Sequence, residues 1–125
     1  MSFSGLKTAV INLVHNAEQK GEEIDRASLA ASFTKAVSDS LVPRAMQAAR
    51  ELGYGKIVVA GGVAANSRIR ADFKAAAEAN GLELFVPPLK LCGDNGAMNG
   101  AQGYYEYIAG TRAGSDLNAY ATMEL

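Results

Sequence analysis

The residues best suited to chemistry fall in two short stretches, Gly61-Gly62-Val63-Ala64-Ala65-Asn66 and Cys92-Gly93-Asp94-Asn95, with a lone histidine, His15, far upstream. A glycine pair after an apolar run and before a helix lets a ligand approach the backbone with no Cβ in the way. The helix start that follows offers unpaired amides and positive dipole potential to a phosphate or ribose oxygen. A nucleotide fits that chemistry. The same pattern also describes a plain strand-to-helix turn with Asn66 as its N-cap, and taken alone it favours the plain turn. It is not the G-x-G-x-x-G dinucleotide fingerprint. Nor is Ser4-Gly5-Leu6-Lys7-Thr8 a phosphate loop, which needs a further glycine upstream.

Asp94, read locally, stands where a helix N-cap would stand. Cys92 has no second cysteine and no adjacent base, so it reads as a small buried apolar residue rather than a ligand or nucleophile. His15 reads as surface.

The elements that must carry these residues follow from periodicity. Leu6, Val10, Leu13, Val14 and Ala17 recur at helical spacing, and Gly21-Glu22-Glu23 ends that helix. Asp25 caps a second helix with a stripe through Leu29, Phe33, Val37, Leu41, Met46, Ala49 and Leu52; Pro43, lacking an amide hydrogen, predicts a kink or split near Leu41. Lys56 to Ala60 is a β-branched run bounded by glycines, as in a parallel strand buried on both faces. Ile69, Phe73, Ala76 and Ala77 mark a third helix stopped at Asn80-Gly81. Leu82 to Val86 is a second strand ended by Pro87-Pro88, and a last helix runs from near Asp94 to Gly110. A strand-helix-strand crossover favours parallel pairing. The expected class is α/β, helix-rich with a small, mainly parallel sheet, in a single domain over 1–125.

Composition narrows the function classes. An apolar fraction of 49% is that of a globular chain, and 12 basic against 13 acidic side chains leave no overall charge to draw the protein onto nucleic acid or a membrane. One cysteine, no export signal and no membrane-length apolar run set the expectation of a cytoplasmic, membrane-free protein. The apolar, turn-forming start at Met1 to Thr8 reads as a cut inside a domain, and a two-strand sheet calls for pairing partners outside this sequence. Arg68, Arg70, Lys74 and Lys90 could touch nucleic-acid phosphates, but Asp72 and Glu78 interrupt them as on a solvated helix face. Tyr104, Tyr105 and Tyr107 could stack on bases, although their helical spacing places some of them in a core.

Three segments, in order, resemble one family: Ser2-Phe3-Ser4-Gly5-Leu6-Lys7-Thr8-Ala9-Val10, Gly61-Gly62-Val63-Ala64-Ala65-Asn66-Ser67-Arg68 and Pro87-Pro88-Leu89-Lys90-Leu91-Cys92-Gly93-Asp94-Asn95. They are similar to the tRNA threonylcarbamoyladenosine transferases, once labelled glycoproteases or O-sialoglycoprotein endopeptidases. The tail Ser115 to Tyr120 resembles that family's C-terminus. The resemblance implies the C-terminal lobe of an actin-like, sugar-kinase-like (ribonuclease H-like) ATPase fold. It implies a reaction in which a threonylcarbamoyl group passes from threonylcarbamoyl adenylate to the adenosine beside the tRNA anticodon, with tRNA and accessory proteins of the modification complex as partners.

It also implies roles for particular residues. Asn66 would contact the adenylate, ATP or AMP, Gly61 and Gly62 would line the same pocket, and Asp94 would be one ligand of an iron or zinc ion. The family's other ligands are two histidines in H-x-x-x-H, a motif His15 does not complete. This chain departs from the family at Gly93 and Gly96, glycines that loosen the helix start around Asp94, at Asn99, and at Pro43. The expected function is a lobe of the transferase that is inactive alone. The alternatives are a metal-dependent glycoprotein endopeptidase and a non-catalytic nucleotide-binding or interaction fragment that pairs with a partner, or with itself, through exposed sheet edge or apolar lobe surface.

Overall fold

The computed structural model describes residues 3–119. Ser2 and Tyr120, both part of the resemblance, and the tail beyond 119 lie outside the described residues. The element order is α1 (Ser4–Lys20), α2 (Arg26–Glu51), β1 (Lys56–Val58), a 3₁₀ turn (Gly62–Ala65), α3 (Ser67–Ala79), β2 (Glu83–Phe85), a second 3₁₀ turn (Leu89–Leu91) and α4 (Gly96–Ile108). The chain divides into two compact units, Met1–Cys92 and Gly93–Leu125.

In the first unit, α1 stops where Gly21 turns left-handed at φ 68° and its amide bonds back to the last turn. Asp25 then caps α2. Its Oδ1 accepts from the amides of Ala27 at 3.0 Å and Ser28 at 3.3 Å, and its Oδ2 accepts from the Ser28 hydroxyl at 2.6 Å. Those three bonds favour the ionised form and hold the carboxyl below its ordinary value, the hydroxyl of Ser28 most of all.

Of the kink or split expected near Leu41, the split does not occur: α2 is a single helix of 26 residues with Pro43 inside it. Proline forfeits one amide bond, to Asp39, while its fixed φ remains helical. The flanking side chains Val42 and Met46 are buried against α3, which offsets the lost bond. The stripe that packs is Ser38, Val42, Met46 and Ala49, whereas Leu52 is exposed. Ser38 interrupts the apolar pattern yet is buried, because its hydroxyl donates to Asp72 Oδ2 on α3 at 2.6 Å.

Val42 and Met46 meet Ile69 and Phe73 of α3 to form the core, with Ile57, Val59, Leu82 and Leu84 packed against it. Each of the four buried core side chains, Val42, Met46, Ile69 and Phe73, contributes up to about 1.5–3 kcal/mol. The two strands are parallel, with Lys56 opposite Glu83, Ile57 opposite Leu84 and Val58 opposite Phe85. Only one face is covered. Ile57 and Leu84 look toward the core, while Val58 and Phe85 are exposed on the other face, where Lys56 lies 5.9 Å from the Phe85 ring centroid. The expectation of burial on both faces is therefore corrected within these residues: a β-branched run specifies strand, and only neighbouring elements decide how many faces are covered.

The second unit consists of α4 and the irregular stretch after it. Its cap is Asn95, whose side chain accepts from the Met98 amide at 2.9 Å, so the helix starts one residue later than Asp94 would set it. α4 buries none of its residues. The expectation that some of Tyr104, Tyr105 and Tyr107 are core is corrected, since all three are exposed. Tyr104 and Tyr105 meet edge to face at 5.6 Å, and Arg112 lies 3.9 Å over the Tyr107 ring.

Candidate functional site

β1 delivers the chain to Gly61, whose φ of 90° and ψ of 175° lie in a region that side chains with a Cβ rarely enter. Glycine is required there by the backbone alone. Gly62 has no such constraint, and a Cβ at either glycine would meet no atom within 4 Å. The 3₁₀ turn closes through the Ala64 amide on the Gly61 carbonyl and the Asn66 amide on the Val63 carbonyl, both at 3.0 Å. Ala64 faces inward and is buried.

Asn66 caps α3. Its Oδ1 accepts from the Arg68 amide at 3.0 Å and the Ile69 amide at 3.2 Å, so the carbonyl end of the carboxamide is committed to the helix. Its Nδ2 has no partner among the described residues. The two roles weighed for this residue, cap and ligand contact, thus belong to different atoms of one exposed side chain. An outward contact from Asn66 can only be a donated one.

Gly62, Val63 and Asn66 form one wall of a groove of about 530 Å³, completed by Phe3, Phe33, Thr34, Val37 and Leu41, with Ile69 at its base. The lining is largely apolar and partly aromatic, with few polar groups, as in pockets that take a flat ring. Phe33 and the helix face carrying Val37 and Leu41 were read from the sequence only as core stripe. Their spacing held no sign that they line a groove.

The basic side chains near the turn are occupied by neighbours. Arg68 Nε holds Asp72 at 2.8–3.0 Å, and Lys74 faces Glu78 at 4.0 Å. The Ser38 hydroxyl first, and Arg68 second, hold the Asp72 carboxyl below its ordinary value; Asp72 in turn raises Arg68. Arg70 turns inward, donating through Nη1 to the Ala64 carbonyl and through Nη2 to the Pro87 carbonyl, each at 2.8 Å. Cys92 is buried beside it, as its sequence context predicts.

The remaining expected site residues lie apart in kind. Asp94 belongs to the second unit, is exposed, and makes no hydrogen bond or ion pair among the described residues. Because Asn95 caps α4, the local explanation of Asp94 as a cap is removed. His15 is exposed on α1 with its Nε2 3.0 Å from Gln19 Nε2. Among the described residues no three His, Cys, Asp or Glu side chains converge, so these residues do not by themselves make a metal site. A lone carboxylate supplies one bond of the three or four a bound transition ion takes from protein.

Fold and turn together define a class: a helix-rich α/β protein in which a parallel strand runs into a glycine turn and a capped helix. The family model described as tRNA N6-adenosine threonylcarbamoyltransferase, TsaD, matches residues 1–101, and the chain belongs to that family. Proteins of that name from Clostridium botulinum and Moorella thermoacetica are each 48% identical over 124 residues, and one from Latilactobacillus sakei is 50% identical over 125 residues. These alignments take in 98–99% of this chain and 36% of each relative, so the chain spans about a third of their length. Among the described residues no helix is long and apolar enough to cross a membrane.

Proposed function

We propose that this chain forms the adenylate-binding part of a tRNA threonylcarbamoyl transferase, as one lobe of an actin-like, sugar-kinase-like fold. The observation that carries this reading is Asn66: a side chain whose oxygen is spent on capping α3 and whose amide nitrogen is left to donate, beside a glycine turn and an aromatic-lined groove. In a member of this family, an adenine ring against Phe33 and Val63, with its ribose or phosphoryl oxygen on Asn66 Nδ2, uses every feature of the turn. The positive end of α3 adds favourable potential for the phosphate.

Asp94 serves as one ligand of an iron or zinc ion whose other ligands come from outside this chain. Such an ion would polarise a carbonyl or grip phosphate. Its carboxylate is free for that role because Asn95 does the capping. The substrates are threonylcarbamoyl adenylate and tRNA, and transfer requires the part of the family's length that this chain lacks. Isothermal calorimetry with ATP and AMP tests the binding step, with one-to-one binding expected for the wild-type chain. Threonylcarbamoyl transfer to tRNA by the 125-residue chain alone would contradict the assignment of the missing ligands to another part of the enzyme.

A further inference from the structure

We infer that Arg70 is a positioning residue that straps the Gly62–Ala65 turn to the segment Pro87–Cys92, so that the two loops at the C-terminal ends of β1 and β2 hold or open together. Its guanidinium is partly buried and reaches three groups from two loops that are distant in sequence. These are the Ala64 carbonyl at 2.8 Å, the Pro87 carbonyl at 2.8 Å and the Cys92 sulfur at 3.6 Å.

Arg70 thus bonds to both loops at once. Within each loop the bonds are local: Ala64 to Gly61 and Asn66 to Val63 in one, Leu91 to Pro88 and Cys92 to Leu89 in the other. β1 and β2 are three residues long, and their ladder passes just beyond Val58 through the Val59 amide on the Phe85 carbonyl. Past that point the loops diverge, and Arg70, one turn into α3 from Asn66, crosses between them. A planar fork can satisfy two carbonyls at once from one position, whereas a lysine ammonium on a shorter reach cannot hold the same pair.

Two consequences follow. The Pro87–Cys92 segment is docked through Arg70, and Cys92, buried at 4% exposure, is sealed by that docking. The turn that presents Gly62 and Asn66 is likewise held from behind, at the Ala64 carbonyl, so the outward pose of Asn66 depends on a residue that does not itself face the groove. The second consequence rests on the adenylate-binding reading; the first does not.

Cys92 is the chain's only cysteine, which makes it a site-specific reporter. The experiment measures alkylation of Cys92 by iodoacetamide across a series of low urea concentrations in the wild-type chain, Arg70→Lys and Arg70→Gln, with AMP affinity measured by calorimetry in parallel. Loss of one charge-assisted bond predicts alkylation about tenfold faster in either variant. The rate should depend little on urea, as for a local opening rather than global unfolding. AMP affinity should fall by about the same factor. An unchanged alkylation rate overturns the strap, as does a faster rate with the full urea dependence of global unfolding, which would make Arg70 an ordinary stabilising residue. Faster local alkylation with AMP affinity intact overturns the positioning of the turn. A wild-type chain that fails to bind AMP sinks the adenylate reading while leaving the strap to be decided by alkylation alone. Should Arg70→Lys fail to fold, Arg70→Gln, a shorter neutral side chain that cannot span both carbonyls, decides the same question.

Discussion

The Gly61–Asn66 turn, proposed to bind adenylate, and the Gly93–Asn95 loop, which carries the proposed metal ligand Asp94, are built in opposite ways. The turn is fixed on every side: Gly61 by its left-handed φ, Ala64 by burial and by Arg70, Asn66 by two bonds to α3, and α3 itself by a core shared with α2. The Gly93–Asn95 loop is tied to α4 through Asn95, which accepts from the Met98 amide and donates to the Gly93 carbonyl, but these bonds leave Asp94 itself unheld. Its carboxylate has no partner among the described residues, and the helix after it buries no side chain. The turn can therefore be preorganised by its own unit, whereas Asp94 needs other groups to fix it, as a metal ligand completed by residues outside this chain would.

Core truncation should break this contrast most visibly. Phe73→Ala is expected to cost about 3–5 kcal/mol in urea denaturation, because it empties the centre of the α2–α3 contact. Tyr105→Ala on α4, at 65% exposure, should stay within about 0.5 kcal/mol. Equal losses would mean that α4 is packed as firmly as α3.

Ser38→Ala should have the next largest effect, with a pH signature. Asp72 is held below its ordinary value in the folded state, chiefly by the Ser38 hydroxyl. Its contribution is thus full above the unfolded carboxyl's pKa and is lost as pH falls through the lower folded value. The variant should be less stable near neutrality, and its deficit should narrow as acid protonates Asp72. A deficit constant from pH 7 into the acid range would show that the bond is not coupled to ionisation.

Asn66 separates cap from ligand contact. Asn66→Ala should lose about 1 kcal/mol of stability, and Asn66→Asp only a few tenths, since aspartate caps equally well. Both should lose AMP binding in calorimetry, because neither keeps the Nδ2 donor. Smallest and most local, Asn95→Ala should lower helical signal at the start of α4 in backbone chemical shifts, while Asp94→Asn leaves it unchanged. The reverse result would restore Asp94 as the cap.

Much of this was legible in the sequence where one local rule operated alone. The stripe Ile69, Phe73, Ala77 gave α3, Asp25 and Asn66 announced their caps, and Gly21 and Asn80-Gly81 their stops. Legibility failed where a partner distant in sequence decides the outcome. Ser38 reads as a polar break until Asp72 is placed opposite it, and Pro43 reads as a helix breaker until the flanking Val42 and Met46 are packed. Asp94 and Asn95 are equally good caps by type, and geometry chose the second. Arg70 looked like one more basic residue on a solvated face because nothing local signals that its partners are carbonyls 6 and 17 positions away.

The most direct test of the central claim is a titration of the isotopically labelled chain with AMP, followed through the side-chain amide of Asn66 and the backbone amides of Gly61 and Gly62. The account predicts that these signals shift together and saturably, with the Asn66 Nδ2 protons moving as they gain an acceptor, while Asp94 and α4 are unperturbed. Saturable binding whose shifts cluster elsewhere and leave Asn66 unmoved, or no shifts at all, would contradict it.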